Sequence, residues 1–184
     1  MQPSLHRIRD KESGPITVEE YLGSMNRLLA GITGKTPAGS LLCVPIAARD
    51  AASALGKIDR AGSLADLLEL RLDLLPASQP PETFVKASPV PVIATLRSVR
   101  EGGCATASPD GTADILTRAL DAGASYVDVE MGLPPETRHK IMARAGAECV
   151  ILSKHFPWGT PPLGELSTTL EKMIREGPGM IKIV

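Results

Sequence analysis

The sequence predicts an α/β protein of the (β/α)8 TIM-barrel type, and three observations carry that prediction. From Ser40 onward, short stretches rich in Val, Ile and Leu alternate with helical stretches, the pattern of parallel strands joined by right-handed crossovers. In "DLLELRLD" the charged residues Glu69, Arg71 and Asp73 recur at every second position, so on a strand they share one face. A doubly wound sheet would bury that face under helices, whereas in a barrel it is the interior, whose C-terminal mouth gathers charged catalytic groups. Finally, successive later strands also deliver ionisable residues at the corresponding end.

Residues 1–39 read as an N-terminal extension. Within it Val18, Tyr21, Leu22, Met25, Leu28, Leu29 and Ile32 recur at helical spacing behind a Thr17/Glu20 capping box, which predicts an amphipathic helix over 17–32. Residues 40–184 read as a partial barrel domain. Expected strands are 41–47, 66–73, 90–97, 125–131, 148–153 and 179–184, with helices near 50–61, 110–122, 135–145 and 163–176 and a weaker one near 80–88. A barrel of this kind takes eight strands in roughly 250 residues. The series here reaches six, so the sequence is read as C-terminally truncated by two βα units. Expressed alone, these residues are expected to associate, to aggregate or to lack activity, because a six-stranded wall leaves unpaired edges.

Composition narrows the function classes. A net charge of −1 without a basic block, with 3% aromatic residues, argues against nucleic acid as partner. No apolar run approaches the length of a membrane helix, and "MQPSLHRIRDKESG" lacks the apolar core of a secretory signal. Cys43, Cys104 and Cys149 are far apart and form neither a disulfide framework nor a metal-binding pair, so a cytoplasmic setting is expected. "GITGKT" (31–36) has the tail of a phosphate-binding loop, but Leu29 stands where its first glycine is required. No HExxH or clustered Cys/His ligand set is present, so a metal is not implied.

What remains is a series of ionisable residues at strand ends. Glu69 and Arg71 lie on the second strand, Arg97 ends the third, and Glu101 follows four residues later. Asp128 and Glu130 share a face of the fourth, His155 sits just beyond the fifth, and Lys182 lies inside "GMIKIV". A charged lysine in such an apolar strand costs several kcal/mol unless it is paired. As a neutral amine it is a nucleophile toward a carbonyl, a form expected to be favoured here by burial and by Arg71 and Arg97 nearby. Histidine suits proton transfer near neutral pH, with Glu101 or Glu130 to hold its ring. Two arginines suit an anion. Together these residues read as a Schiff-base enzyme acting on a small anionic carbonyl compound.

The stretches "ELRLD" (69–73), "TLRSVREGG" (95–103), "YVDVEM" (126–131), "VILSKH" (150–155) and "IKIV" (181–184) resemble type I 3-dehydroquinate dehydratase over about Leu41 to Val184. The resemblance implies a (β/α)8 barrel that dehydrates 3-dehydroquinate to 3-dehydroshikimate in the shikimate pathway, without metal or organic cofactor. It also implies that Lys182 forms the imine, that His155 moves the proton and that Glu101 pairs with the histidine. Glu69, Arg71 and Arg97 match substrate-binding positions, and a homodimer is common in the family. The alternatives are another class I Schiff-base barrel enzyme, such as an aldolase, and a non-catalytic fragment. Lys154 and Phe156 flank His155 where the family often has Asn and Asp or Asn. Strand alternation points both away from the histidine, so tuning alone is expected of them. Pro45 stands where some members carry a substrate-touching serine, and no such contact is expected here.

Overall fold

The computed structural model describes residues 41–184; the expected helix over 17–32 lies outside the described residues. Six strands form one parallel sheet: β1 (Cys43–Ile46), β2 (Leu67–Arg71), β3 (Val92–Thr95), β4 (Tyr126–Glu130), β5 (Val150–Lys154) and β6 (Met180–Ile183). Between them run α1 (Ala51–Gly62), α2 (Pro81–Lys86), α3 (Pro109–Asp121), α4 (Pro135–Ala145) and α5 (Leu163–Glu176). Each strand lies beside the one before it, in the order β1-β2-β3-β4-β5-β6. That is the order of a barrel wall; a doubly wound sheet reverses direction at a switch point.

The sheet is strongly curled, and one contact demonstrates it. Lys182 Nζ on β6 lies 3.4 Å from Glu69 Oε1 on β2, although β3, β4 and β5 stand between those strands. In a flat sheet the two strands would be roughly 19 Å apart, beyond the reach of both side chains together. The six strands therefore form a half-barrel with a concave inner face.

Register keeps one set of alternate residues on that inner face. Glu69 pairs with Ile93, Thr95 with Asp128, Asp128 with Ile151 and Ser153 with Lys182. The intervening residues face outward and make the main core. Leu68, Leu70, Ala94, Val127, Val129, Val150 and Leu152 pack there with Ile58, Phe84, Leu116, Ile141 and Met173 from the helices. On the inner face the first residues of the strands are apolar: Leu67, Tyr126 and Ile151 form a small cluster with Ile93 and Met180. It closes the floor, and the polar groups sit above it.

Helix ends follow local chemistry. Asp50 Oδ1 accepts the Ser53 N–H at 2.7 Å to start α1, and Ser108 Oγ accepts the Gly111 N–H at 3.1 Å ahead of Pro109 to start α3. Such caps contribute about 1 kcal/mol each.

One expected element ends early. The strand predicted over 66–73 stops at Arg71, and Leu72–Leu74 turns as a 3-10 helix. The cause is local: Asp73 folds back and receives both Arg71 Nε and Nη2, at 2.9 and 2.8 Å. Asp73 thus does not continue the alternation of Glu69 and Arg71. No helix among the described residues is long and apolar enough to cross a membrane.

Candidate active site

Above the apolar floor the inner face turns polar within one strand step. Lys182 Nζ donates toward Glu69 Oε1 at 3.4 Å and Asp128 Oδ2 at 3.3 Å. Glu69 Oε1 also accepts the Thr95 hydroxyl at 2.8 Å. The lysine side chain is 35% exposed, and its direct partners are carboxylates. Arg97 stands next to it, sharing Asp128 Oδ2, whereas Arg71 is paired with Asp73.

Arg97 is the hub of a buried network. Its Nη2 donates to Asp128 Oδ2 at 2.7 Å, and its Nη1 to Ser153 Oγ at 2.9 Å and Glu130 Oε1 at 3.1 Å. Glu101 Oε2 lies 3.5 Å from the same Nη1. The Ser153 hydroxyl donates to Asp128 Oδ1 at 2.5 Å. A guanidinium presents several donors in a rigid fork, and here that fork ties β3 to β4 and β5. With 4% of its surface exposed, Arg97 organises the interior. Arg71, whose side chain is 25% exposed, is the more open of the two arginines.

The histidine is positioned by the loop after β3. Gly103 N donates to Ser98 O at 2.8 Å and Ala105 N to Arg97 O at 2.9 Å, so the chain folds back on itself. Gly102 takes a left-handed turn at φ 82°. A Cβ on Gly103 would meet Arg97 O at 2.1 Å. Both glycines of "EGG" are thereby explained, and the turn drops Glu101 into the mouth of the concavity. Glu101 Oε2 accepts the His155 backbone N–H at 2.9 Å and lies 3.1 Å from the ring Nδ1. Burial would push the Glu101 carboxyl up; hydrogen bonds from His155 and Lys154 outweigh it and hold the group below the usual carboxylate range. Glu130, the other candidate partner for the ring, instead accepts from Arg97 and from the Ser98 N–H at 2.8 Å.

The six residues read from the sequence as a site therefore fall into neighbouring groups. Glu69 meets Lys182, Glu101 meets His155, Arg97 joins the two through Asp128 and Glu101, and Arg71 stands beside them on β2. Thr95, Asp128 and Ser153 complete the constellation. Lys154 departs from expectation. Its Nζ reaches Glu101 Oε1 at 3.1 Å, so it shares a carboxylate with the histidine it was expected to face away from. Alternation sets the direction of Cβ, but a lysine at a strand end curls over it. A cleft of about 610 Å³ opens alongside, with Ser98, Glu101, Asp128, Glu130, Leu133 and Lys154 in its wall.

The chain is similar to known proteins. The family model for type I 3-dehydroquinase matches residues 42–184. A chloroplastic bifunctional 3-dehydroquinate dehydratase/shikimate dehydrogenase of Arabidopsis thaliana is 33% identical over 149 residues, covering 78% of this chain and 25% of that protein. A 3-dehydroquinate dehydratase of Thermococcus gammatolerans is 36% identical over 145 residues, covering 76% and 63% respectively. Among solved structures, the type I 3-dehydroquinate dehydratase of Clostridium difficile with covalently modified comenic acid superposes with a TM-score of 0.72. It is 22% identical, covers 83% of this chain and 65% of that one, and speaks for the fold. The chain spans from a quarter to under two thirds of the length of these curated relatives. With the family model matched over nearly all of the described residues, the chain belongs to the type I 3-dehydroquinase family.

Proposed function

We propose that these residues serve the dehydration of 3-dehydroquinate to 3-dehydroshikimate through an imine on Lys182. Lys182 Nζ, as the neutral amine, adds to the substrate ketone, and loss of water leaves a protonated imine. The cationic nitrogen draws electrons and acidifies the adjacent C–H bond. His155 Nε2 takes that proton, and the bonding pair moves toward nitrogen as an enamine. The enamine expels the β-hydroxyl, which leaves as water with the proton returned by His155. Hydrolysis of the conjugated imine consumes one water and restores Lys182, so the net change is loss of one water.

The observation that carries this reading is the convergence of Lys182 and Glu69 across the concavity, next to the Glu101–His155 pair at its mouth. Once the imine forms, its protonated nitrogen carries the positive charge that drives the next step. Asp128 and Glu69, at 3.3 and 3.4 Å, are already arranged to stabilise it there. The Nδ1–H of His155, donated to Glu101, leaves Nε2 as the base. Arg71 is the group available to the substrate carboxylate. A homodimer in a cytoplasmic setting belongs to the same reading.

Borohydride added with 3-dehydroquinate tests it. The reduced adduct is expected on the peptide that contains Lys182, and K182M is expected to lose both the adduct and the rise in ultraviolet absorbance of the conjugated enone. Turnover that continues under borohydride with Lys182 unmodified overturns the imine.

A further inference from the structure

We propose that Lys154 is a positioning residue for His155: its ammonium occupies one oxygen of Glu101 and so reserves the other for the histidine. The proposal deepens the reading above and rests on His155 as the proton-transfer group.

The geometry divides the Glu101 carboxylate cleanly. Oε1 receives Lys154 Nζ at 3.1 Å, while Oε2 receives the His155 backbone N–H at 2.9 Å and faces ring Nδ1 at 3.1 Å. The Glu101 side chain is 2% exposed, so an unpaired Oε1 there carries a desolvation cost. Lys154 is held from the other side as well, its Nζ lying 5.5 Å from the centre of the Phe156 ring, a cation–π distance. The two residues that flank His155 therefore act as a pair. Phe156 supports the ammonium, and the ammonium supports the carboxylate.

Charge balance gives Lys154 a second consequence. Around Glu101 stand Arg97 just after β3, Asp128 and Glu130 on β4, Lys154 at the end of β5 with His155 beyond it, Lys182 on β6, and Glu69 on β2 through Lys182. Apart from the histidine, four carboxylates face three cations. Without Lys154 they would face two, and Arg97, 3.5 Å from Glu101 Oε2, donates at shorter range to Asp128, Glu130 and Ser153. Glu101 would then keep its proton to higher pH, because one of the groups that offsets its burial would be gone. A protonated Glu101 no longer offers the charged acceptor that secures the Nδ1–H tautomer.

The test uses nuclear magnetic resonance on the whole chain, in the parent, K154M and K154R. Glutamate carboxyl carbons are followed through a pH titration, with Glu101 assigned by E101Q, and the ring nitrogens of His155 report its tautomer. In K154M the Glu101 midpoint is expected to rise, and the Nδ1–H tautomer to lose population wherever the ring is neutral; K154R is expected to restore both. An unmoved Glu101 midpoint overturns the proposal. So does a moved midpoint with an unchanged histidine tautomer, since Lys154 would then be a neighbour without a positioning role. These signals are read without substrate. Turnover of 3-dehydroquinate that continues under borohydride with Lys182 unmodified would count against the proposed function and leave the positioning result intact.

Discussion

The carboxylate of Glu101 holds His155 at two points, accepting its backbone N–H at 2.9 Å and lying 3.1 Å from its ring Nδ1, both through Oε2. One oxygen therefore sets the main-chain position of the residue and the orientation of its imidazole. The loop that carries Glu101 is anchored on the Arg97 backbone, so the imidazole is referenced to β3 as well as to its own strand. This coupling makes Glu101 the most informative single residue to change.

Replacing Glu101 by Gln keeps the shape and removes the charge. The amide accepts more weakly from Nδ1–H and leaves Lys154 without an anionic partner. Turnover of 3-dehydroquinate is expected to fall by roughly 10²-fold in kcat with little change in KM, the pattern of a lost contribution to proton transfer. Steady-state kinetics check it, and an unchanged kcat would remove Glu101 from the mechanism.

The organisation of the barrel wall was legible because the hydrophobic period switches cleanly between strand and helix along the chain. The half-site on each strand was legible too, since Glu69 with Arg71 and Asp128 with Glu130 are spaced by two. What the sequence could not convey is curvature: Lys182 and Glu69 lie on strands four places apart, and their meeting depends on how far the sheet bends. Thr95 and Ser153 were missed although the signal was present. Each lies two residues before a site residue, Arg97 or His155, and so faces the same way. A hydroxyl carries no charge to draw attention to it. Lys154 was misjudged because alternation describes backbone geometry and not the reach of a long side chain. Asp73 was misplaced because a bidentate pair with Arg71 ends the strand early.

Ser153 is fully buried, with 0% of its surface exposed, and its hydroxyl bridges Arg97 Nη1 and Asp128 Oδ1. In S153A the Asp128 oxygen loses its hydrogen-bond donor in the interior. Leaving a buried acceptor unsatisfied costs about 1–3 kcal/mol. Urea unfolding is expected to show a lower midpoint with an unchanged m-value. Midpoints that coincide would show that Asp128 finds another donor.

The Arg71–Asp73 pair gives stability a dependence on pH. Burial pushes the Asp73 carboxyl up, but the Arg71 guanidinium and the Cys104 N–H pull it further down, so its folded value lies below the ordinary one. A depressed carboxylate stabilises the fold above its unfolded pKa and loses that contribution as pH falls through the folded value. The parent is therefore expected to exceed D73N by about 1–3 kcal/mol near neutral pH. The gap should close once the pH drops below roughly 4. Denaturation curves for both proteins across that range test the sign, and a gap that widens in acid would contradict it.

Two glycines separate a tight approach from open space. A Cβ on Gly103 would lie 2.1 Å from Arg97 O and 2.5 Å from Arg97 Cβ, and neither can be relieved by rotating a side chain. G103A must push the loop away from β3, at a cost of about 1–3 kcal/mol for overpacking. Because the same loop carries Glu101, the displacement is expected to reach His155 and lower kcat by more than the stability loss explains. Gly164, in the first turn of α5, has nothing within 4 Å of its would-be Cβ. G164A is expected to raise stability by about 0.5–1 kcal/mol, since alanine loses less backbone entropy in a helix, and to leave kcat unchanged. Chemical denaturation paired with 3-dehydroquinate turnover distinguishes the two. Equal effects of both substitutions on kcat would show that the close packing of Gly103 against Arg97 does not position the histidine.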